Sequence, residues 1–423
     1  VCIPNNVAPK YGYRGVASSV KLAVWKVFYG LNISTSTSLI IQALDRILQL
    51  YKTLNITVVN LSISTDKVSY ALDEAVNKLA IRGVIVVTSA GNMYMDKFKE
   101  NKLQNQITSP GSAAYAITVA ALNGYLGLAI YSSRGGQYME ESIKYIKPDV
   151  AMYGGGMVIG SWPLGADSDY RDYIFADMNP GDLATNFGTS FATAYVSGYA
   201  SLVASLMYEK GLWDWSLDNV LRIKSIITAA TFETAFIGVH ENNIPNAEGC
   251  WRSSPNFSAG LKDYDEGFGM IYMPAALGLL EPKHNIGRFE EEFILSIDKP
   301  VWGIRIISYD LLRLSVSVNT SNASILCLYR LYGDDGSPIR SWYTMENGST
   351  IFLGRGEMVL IAKLVRMKHV FVRVSLHKIV GRRGLELFTI IVAVTVFAAA
   401  VCTITRISRS LSQRRGRVEK SDM

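Results

Sequence analysis

Residues 83–92 read GVIVVTSAGN, an apolar β-branched run that stops on a Ser-Ala-Gly-Asn turn. A short run of that composition, bounded by turn residues, is the pattern of a strand buried on both faces. Runs of the same kind lie around it: VKLAVWKVF at 20–28, ITVVNLSI at 56–63 and YAITVAAL at 115–122. Helical patterns fit between them at 38–54 and 67–81. Strands separated by helices of roughly ten to fifteen residues call for right-handed crossovers, so the expected fold class is α/β with a doubly wound parallel sheet. Ligands of such sheets sit beyond the carboxyl ends of the strands, which directs attention to the residues that close each run.

Further along, the pattern changes. Between about 289 and 376, runs such as WGIRIIS, SILCLYRLY, MVLIAKLV and HVFVRVSL alternate with turn signals, among them GDDG at 333–336 and ENG at 346–348. This predicts a small all-β module. Residues 387–404 (LFTIIVAVTVFAAAVCTI) carry no charge and are long enough to cross roughly 30 Å of hydrocarbon as a helix. The expected organisation is an α/β domain at 1–283, a β-rich module at 284–380, one transmembrane helix at 386–405 and a basic tail at 406–423. The short tail is the natural cytoplasmic end, which places the rest outside the cell; sequons such as Asn32, Asn256 and Asn319 agree with an extracytoplasmic chain.

Composition narrows the function classes. A chain of 423 residues, 49% of them hydrophobic, can bury one large core and still support a second module. The formal charge of +6 is concentrated at the end, where Arg406, Arg409, Arg414, Arg415, Arg417 and Lys420 lie. The body is near neutral, which excludes nucleic acid as a partner, since its recognition needs basic residues on a folded face. Cys2, Cys250, Cys327 and Cys402 lack metal-ligand spacing and do not form a disulfide framework; a Cys2–Cys250 bridge is the pairing left open. The sequence starts at Val1 without an initiator Met or a signal peptide, and reads as a fragment.

Chemistry enters with GTSFAT at 188–193, which opens a helical stretch dense in Ala, Ser and Gly. A Gly turn followed by Ser190 at a helix start sets the hydroxyl at the positive end of the helix dipole, where developing negative charge is favoured. In isolation such a serine is an ordinary N-cap. Asn92 follows the run at 83–90 beside Gly91, where its amide can donate to an oxyanion; alone it would be a turn residue. Gly154, Gly155 and Gly156 lack the strand-to-helix setting of a phosphate loop and read as a plain loop.

Taken in order, GVA at 15–17, NLS at 60–62, SAGN at 89–92, SSRG at 132–135, KPDV at 147–150, the serine block at 188–201, and GFGM at 267–270 before PAAL at 274–277 resemble the subtilisin-like serine peptidases. The resemblance covers about residues 1–280. It implies that Ser190 is the nucleophile, and that the oxyanion is held by the Asn92 side chain and the Ser190 backbone N–H. It also implies that Leu61, Ser62, Ile63 and Ser64 pair with a peptide or unfolded protein substrate as an added strand, while Ser89, Ala90 and Gly91 wall the specificity pocket. No metal site and no cofactor are expected: calcium is common in the family, but no run of acidic residues assigns a site here.

The sequence also departs from the family. The acid belongs in an Asp-Thr/Ser-Gly motif and the base in a His-Gly-Thr motif, both ahead of the GVA segment, yet no Asp precedes Asp45 and no His precedes His240. Ala194, Ser64 and Tyr153 stand where Pro, Gly and Pro are usual. The leading expectation is a membrane-anchored, extracytoplasmic serine endopeptidase, here a fragment lacking its catalytic Asp and His and therefore silent by itself. The alternatives are a non-catalytic peptide-binding module with this fold, or a surface structural protein.

Overall fold

The computed structural model describes residues 14–378 apart from 30–33, 96–103, 159–161, 167–176, 180–182, 237–238, 240, 242–260, 285–286, 319–323, 345–347 and 366–369. The sequence-predicted membrane helix at 386–405, the basic tail and Cys2, Cys250 and Cys402 lie outside the described residues. Among those residues, no helix is long and apolar enough to cross a membrane.

The first half builds the expected crossovers. Helix α1 (Thr37–Leu50) starts on Ser36, whose hydroxyl accepts from the Leu39 N–H, and buries Ile40, Leu44 and Ile47 along one face. Strand β1 (Val58–Leu61) follows, then α2 (Tyr70–Ile81), β2 (Ile85–Ser89) and β3 (Ile117–Leu122). Every residue of β2 and β3 is buried, as strands covered on both faces require. Next come β4 (Gly136–Glu140) and β5 (Ile143–Lys147), which form a separate antiparallel pair absent from the sequence reading, and then β6 (Val150–Tyr153).

A small sheet of β7 (Leu164–Ala166), β8 (Asp177–Asn179) and β9 (Leu183–Thr185) precedes the long helix α3 (Thr189–Glu209). Helix α4 (Leu217–Ala229), β10 (Thr231–Phe232), β11 (Met270–Ile271) and α5 (Met273–Gly278) complete this part. The main sheet runs β1-β2-β3-β6-β11-β10, parallel except for the β10–β11 pair. Helix α3 packs Ala192, Val196, Ala200 and Val203 into the core shared with Ile85, Val87, Ile117 and Val119. Its small residues let it lie close to its neighbours.

One predicted strand is corrected. Residues 20–28 carry no ladder among the described residues. The segment has the alternation of a half-buried strand, since Trp25 and Val27 pack on the core near Val59 and Leu61 while Leu22 and Val24 are exposed. Its backbone finds no neighbouring strand there, and the Val27 carbonyl is taken by Thr35 Oγ1 at 2.6 Å. Periodicity reports which face is buried, and pairing is a separate requirement.

The second half is all-β. Sheet β12-β14-β19-β16-β17 comprises Lys283–His284, Val301–Ser308, Gly356–Leu364, Ser324–Arg330 and Ile339–Thr344, and sheet β13-β20-β15-β18 comprises Arg288–Leu295, Val370–Lys378, Leu312–Val318 and Thr350–Leu353. Ile306, Leu314, Leu328, Leu360 and Val374 fill the layer between them. Strand β17 was not foreseen. The outer face of the first sheet is also covered, because Ile325, Cys327, Tyr329, Val359 and Ile361 join the core of the α/β part. The predicted turn at 333–336 is present, with the Gly336 N–H donating to the Gly333 carbonyl.

A buried charge cluster ties these parts at the amino end of the parallel sheet. Asp149, Lys147 and Lys224 are fully buried and Lys262 nearly so. The Asp149 carboxylate meets Lys147 and Lys262 at 2.8 Å and Lys224 at 3.3 Å, and accepts the Thr118 N–H at 2.9 Å. Lys262 reaches on to Ser337 at 3.0 Å and Asp335 at 3.8 Å, both in the β module.

Candidate active site

Ser190 is the second residue of α3, half-buried, directly after a glycine turn. Gly188 sits at φ +151°, and a β-carbon built there would fall 3.3 Å from Asn92 Nδ2 and 3.8 Å from the Ser190 nitrogen. The absent side chain leaves the front of the serine open. Ser190 Oγ donates to the Ser62 carbonyl at 3.3 Å, and Ser62 Oγ donates to the Ser190 carbonyl at 3.0 Å. This reciprocal pair locks the end of β1 to the start of α3. A second link runs from Ser197 Oγ to Asn60 Oδ1 at 2.9 Å and from Asn60 Nδ2 to Ser62 Oγ at 3.0 Å.

Asn92 follows β2 on an exposed turn, and its amide is oriented by Thr189. The Thr189 backbone N–H donates to Oδ1 at 3.0 Å and the Thr189 hydroxyl at 2.8 Å. A backbone N–H can only donate, so the amide oxygen must face Thr189 and Nδ2 must face Gly188 and the serine. An N–H donor beside a helix amino terminus forms a small positive region in front of Ser190 Oγ.

The turn carrying Asn92 is braced from a neighbouring loop. Ser133 Oγ accepts the Met93 N–H at 3.0 Å, and the Ser133 N–H donates to the Gly91 carbonyl at 2.9 Å. Ser132 Oγ accepts the Ala121 N–H at 3.1 Å, which pins that loop to β3. Tyr131 donates to the Gly154 and Gly155 carbonyls at 2.9 and 2.6 Å, while the Gly188 N–H donates to Gly154 at 2.8 Å. Burial pushes the Tyr131 phenol well above its ordinary range, so it stays a donor. The Gly154–Gly156 loop thereby supports the serine turn.

The predicted substrate-facing residues come together as well. Ser89 Oγ donates to the Ile63 carbonyl at 3.0 Å, and Gly91 packs toward Ser64, whose Cβ lies 3.7 Å from a β-carbon built at Gly91. Leu61, Ser62 and Ile63 are partly exposed and Ser64 is exposed, whereas Ser89, Ala90 and Gly91 are buried. An accessible strand end therefore borders a buried wall. The sequence reading did not single out Thr189 and Ser133, which fix the Asn92 amide and the turn that carries it; Thr189 was legible only as the middle of the GTS motif.

No described histidine stands at the serine. His284 lies in β12, and His377 lies in β20, 3.6 Å from Glu290; His240 is outside the described residues. Among the described residues, one group of side chains is placed to hold a metal ion, Glu233, Asp263 and Glu266, beside β10 at the sheet edge opposite β1. No local motif marks it, because Glu233 is far along the chain from the other two.

Residues 3–250 match the subtilase family. Among solved structures, the prenylagaramide maturation protease PagA is similar at 16% identity and a TM-score of 0.39, over 59% of this chain and 70% of that one. Sphericase is similar at 22% identity and a TM-score of 0.36, over 56% of this chain and 64% of that one.

Proposed function

We propose that this chain, which belongs to the subtilase family, is the acyl-transfer part of a serine endopeptidase whose acyl-enzyme forms on Ser190. Membership supports serine peptidase chemistry at the level of the family; the residue roles are our own reading of the geometry. The observation that carries it is the Asn92 amide, held by Thr189 so that Nδ2 faces the serine turn. A peptide laid along Leu61–Ser64 as an added strand would bring its carbonyl over Ser190 Oγ. As the carbonyl becomes tetrahedral, its oxygen takes hydrogen bonds from Asn92 Nδ2 and the Ser190 N–H, donors fixed before the reaction starts. Ser89, Ala90 and Gly91 would line the pocket for the preceding side chain.

Ser190 also needs a base, and the Ser62 carbonyl cannot serve as one, since it accepts a hydrogen bond without taking the proton. We place the base and its acid in segments carrying the family's His and Asp motifs, which residues 1–423 do not contain, and the anchor at 386–405, with the peptidase part outside the membrane. That no histidine among the described residues stands at Ser190 is the observation that favours the second reading, a peptide-binding module of the same fold that does not cleave.

Phosphonate labelling of the complete gene product decides between them. The expected result is a single adduct at Ser190, absent from Ser190→Ala, with residues 1–423 alone unreactive. Peptide binding without any adduct would establish the binding module instead.

A further inference from the structure

The edge formed by β10 and β11 holds three carboxylates that the serine site does not use. Glu233 leaves β10 and leads into the 3-10 turn Thr234–Phe236, while Asp263 and Glu266 stand in the loop that enters β11. Their exposures are 2%, 5% and 0%. One carboxylate oxygen from each lies within 4.8 Å of those of the other two. Oxygen ligands of a calcium-sized ion sit about 2.3–2.6 Å from it, so two of them are separated by at most about twice that distance, and one ion can reach all three side chains.

Proximity of acids would not by itself call for an ion. Asp263 Oδ1 accepts the N–H groups of Asp265 and Glu266 at 2.8 and 2.7 Å, and Thr234 Oγ1 donates to Glu266. Glu233 differs: neither of its oxygens has a hydrogen-bond partner among the described residues. A buried ionised carboxylate without donors bears the full cost of desolvation, and native proteins rarely leave such a group uncompensated. Lys363 of β19 attracts it, but the Lys363 ammonium donates to Thr231 Oγ1 at 3.2 Å. With all three carboxylates ionised, as cation ligands are, the one ammonium leaves two formal negative charges, which a divalent cation would neutralise.

We propose that Glu233, Asp263 and Glu266 bind a divalent cation of the calcium class that closes this edge of the sheet. The donors are carboxylate oxygens without His or Cys, a set that selects a hard cation. Calcium accepts irregular, oxygen-rich shells, whereas magnesium demands an octahedron and keeps several waters, which suits a buried cluster less well. The location gives the ion a structural task. Strands β10 and β11 are two residues each, and β11 joins the rest of the sheet through the single Met270–Ala151 pair. An ion there would tie Glu233 to the loop at 263–266 across the intervening chain. This inference is independent of the chemistry assigned to Ser190.

The test is thermal unfolding and terbium(III) luminescence on the full chain after removal of metal with a chelator. One millimolar Ca²⁺ should raise the melting temperature by several degrees, Mg²⁺ by less, and Ca²⁺ should displace bound Tb³⁺. Glu233→Gln and Asp263→Asn should each weaken Ca²⁺ binding by about tenfold or more and abolish the shift. Without metal, Glu233→Gln should melt no lower than the wild type, because a neutral amide relieves the buried charge. A wild-type melting temperature that ignores Ca²⁺ would overturn the proposal, as would a Ca²⁺ shift equal in wild type and Glu233→Gln.

Discussion

At the carboxyl ends of β1 and β2, Asn92 is exposed and Ser190 half-buried, and each is held by one or two hydrogen bonds, Asn92 by Thr189 and Ser190 by Ser62. At the amino ends of β3 and β6, by contrast, three lysines and Asp149 are closed off from water around a single carboxylate. The strands join these two regions and the energetics separate them. A charge removed from water is tolerated only with partners at contact distance, and once they are present the loss of one member strands the others. The serine end carries polar groups whose removal changes reactivity more than folding. The two regions should therefore respond oppositely to mutation.

The largest effect is expected at Asp149. Asp149→Asn keeps the acceptor for Thr118 but removes the charge that Lys147, Lys224 and Lys262 share. Lys262 would retain Asp335 at 3.8 Å, and the other two would be left facing backbone carbonyls. Breaking a buried ion cluster this way costs about 3–5 kcal/mol, a large share of the stability of an ordinary domain. Urea unfolding measures it, and a loss under about 1 kcal/mol would show that the cluster is not the anchor described above.

Next is Asn92, where the effect should fall on rate. Removing one oxyanion donor costs about 10²–10³ in turnover, so Asn92→Ala should slow phosphonate labelling of the complete gene product at Ser190 by that factor. It should also lower stability by about 1 kcal/mol, because the buried Thr189 N–H loses its acceptor. Asn92→Asp separates the two roles: it keeps an oxygen for Thr189 and removes the donor, so melting should stay near wild type while labelling still slows. If Asn92→Asp labels at the wild-type rate, Asn92 is a structural turn only.

The serine region was the more legible of the two in the sequence, for a physical reason. Strand-end motifs are contiguous, since GTS, SAGN and NLS each bring their chemistry within a few residues, and a parallel sheet carries its strand ends to one rim. The buried cluster is spread over Lys147, Asp149, Lys224 and Lys262, and only the KPDV segment is local enough to see. Glu233 and Asp263 are hidden in the same way. The strand assigned at 20–28 shows the converse limit: Trp25 and Val27 do face the core, yet the hydrogen bonds that would make the segment a strand depend on a neighbour that its own residues do not specify. Strands β4, β5 and β17 were missed because short hairpins with one wet face carry little apolar signal.

The smallest effect expected is a pH dependence confined to the buried cluster. Burial, set against the attraction of Asp149 and reinforced by the repulsion of Lys224 and Lys262, lowers the Lys147 ammonium from 10.5 to about 7. The unfolded chain therefore holds more protons than the folded one between about pH 7 and 10.5, and stability must rise with pH through that window. Below it both states are protonated and the penalty of the buried charge is fully present. A single such proton sets an upper slope of about 1.4 kcal/mol per pH unit, and the observed gain between pH 7 and 8 should be on the order of 1 kcal/mol. Asp149 runs the other way: its carboxyl is held far below the ordinary value by the three lysines, so its contribution is lost only in acid, as pH falls below the usual carboxylate range. Lys147→Met makes the test specific. It leaves Asp149 with Lys224 and Lys262, and Lys224 still donates to the Ala116 carbonyl at 3.0 Å, so the variant should fold. Its stability should be nearly flat from pH 7 to 9 where the wild type climbs, and matching slopes in the two proteins would move the titrating proton away from Lys147.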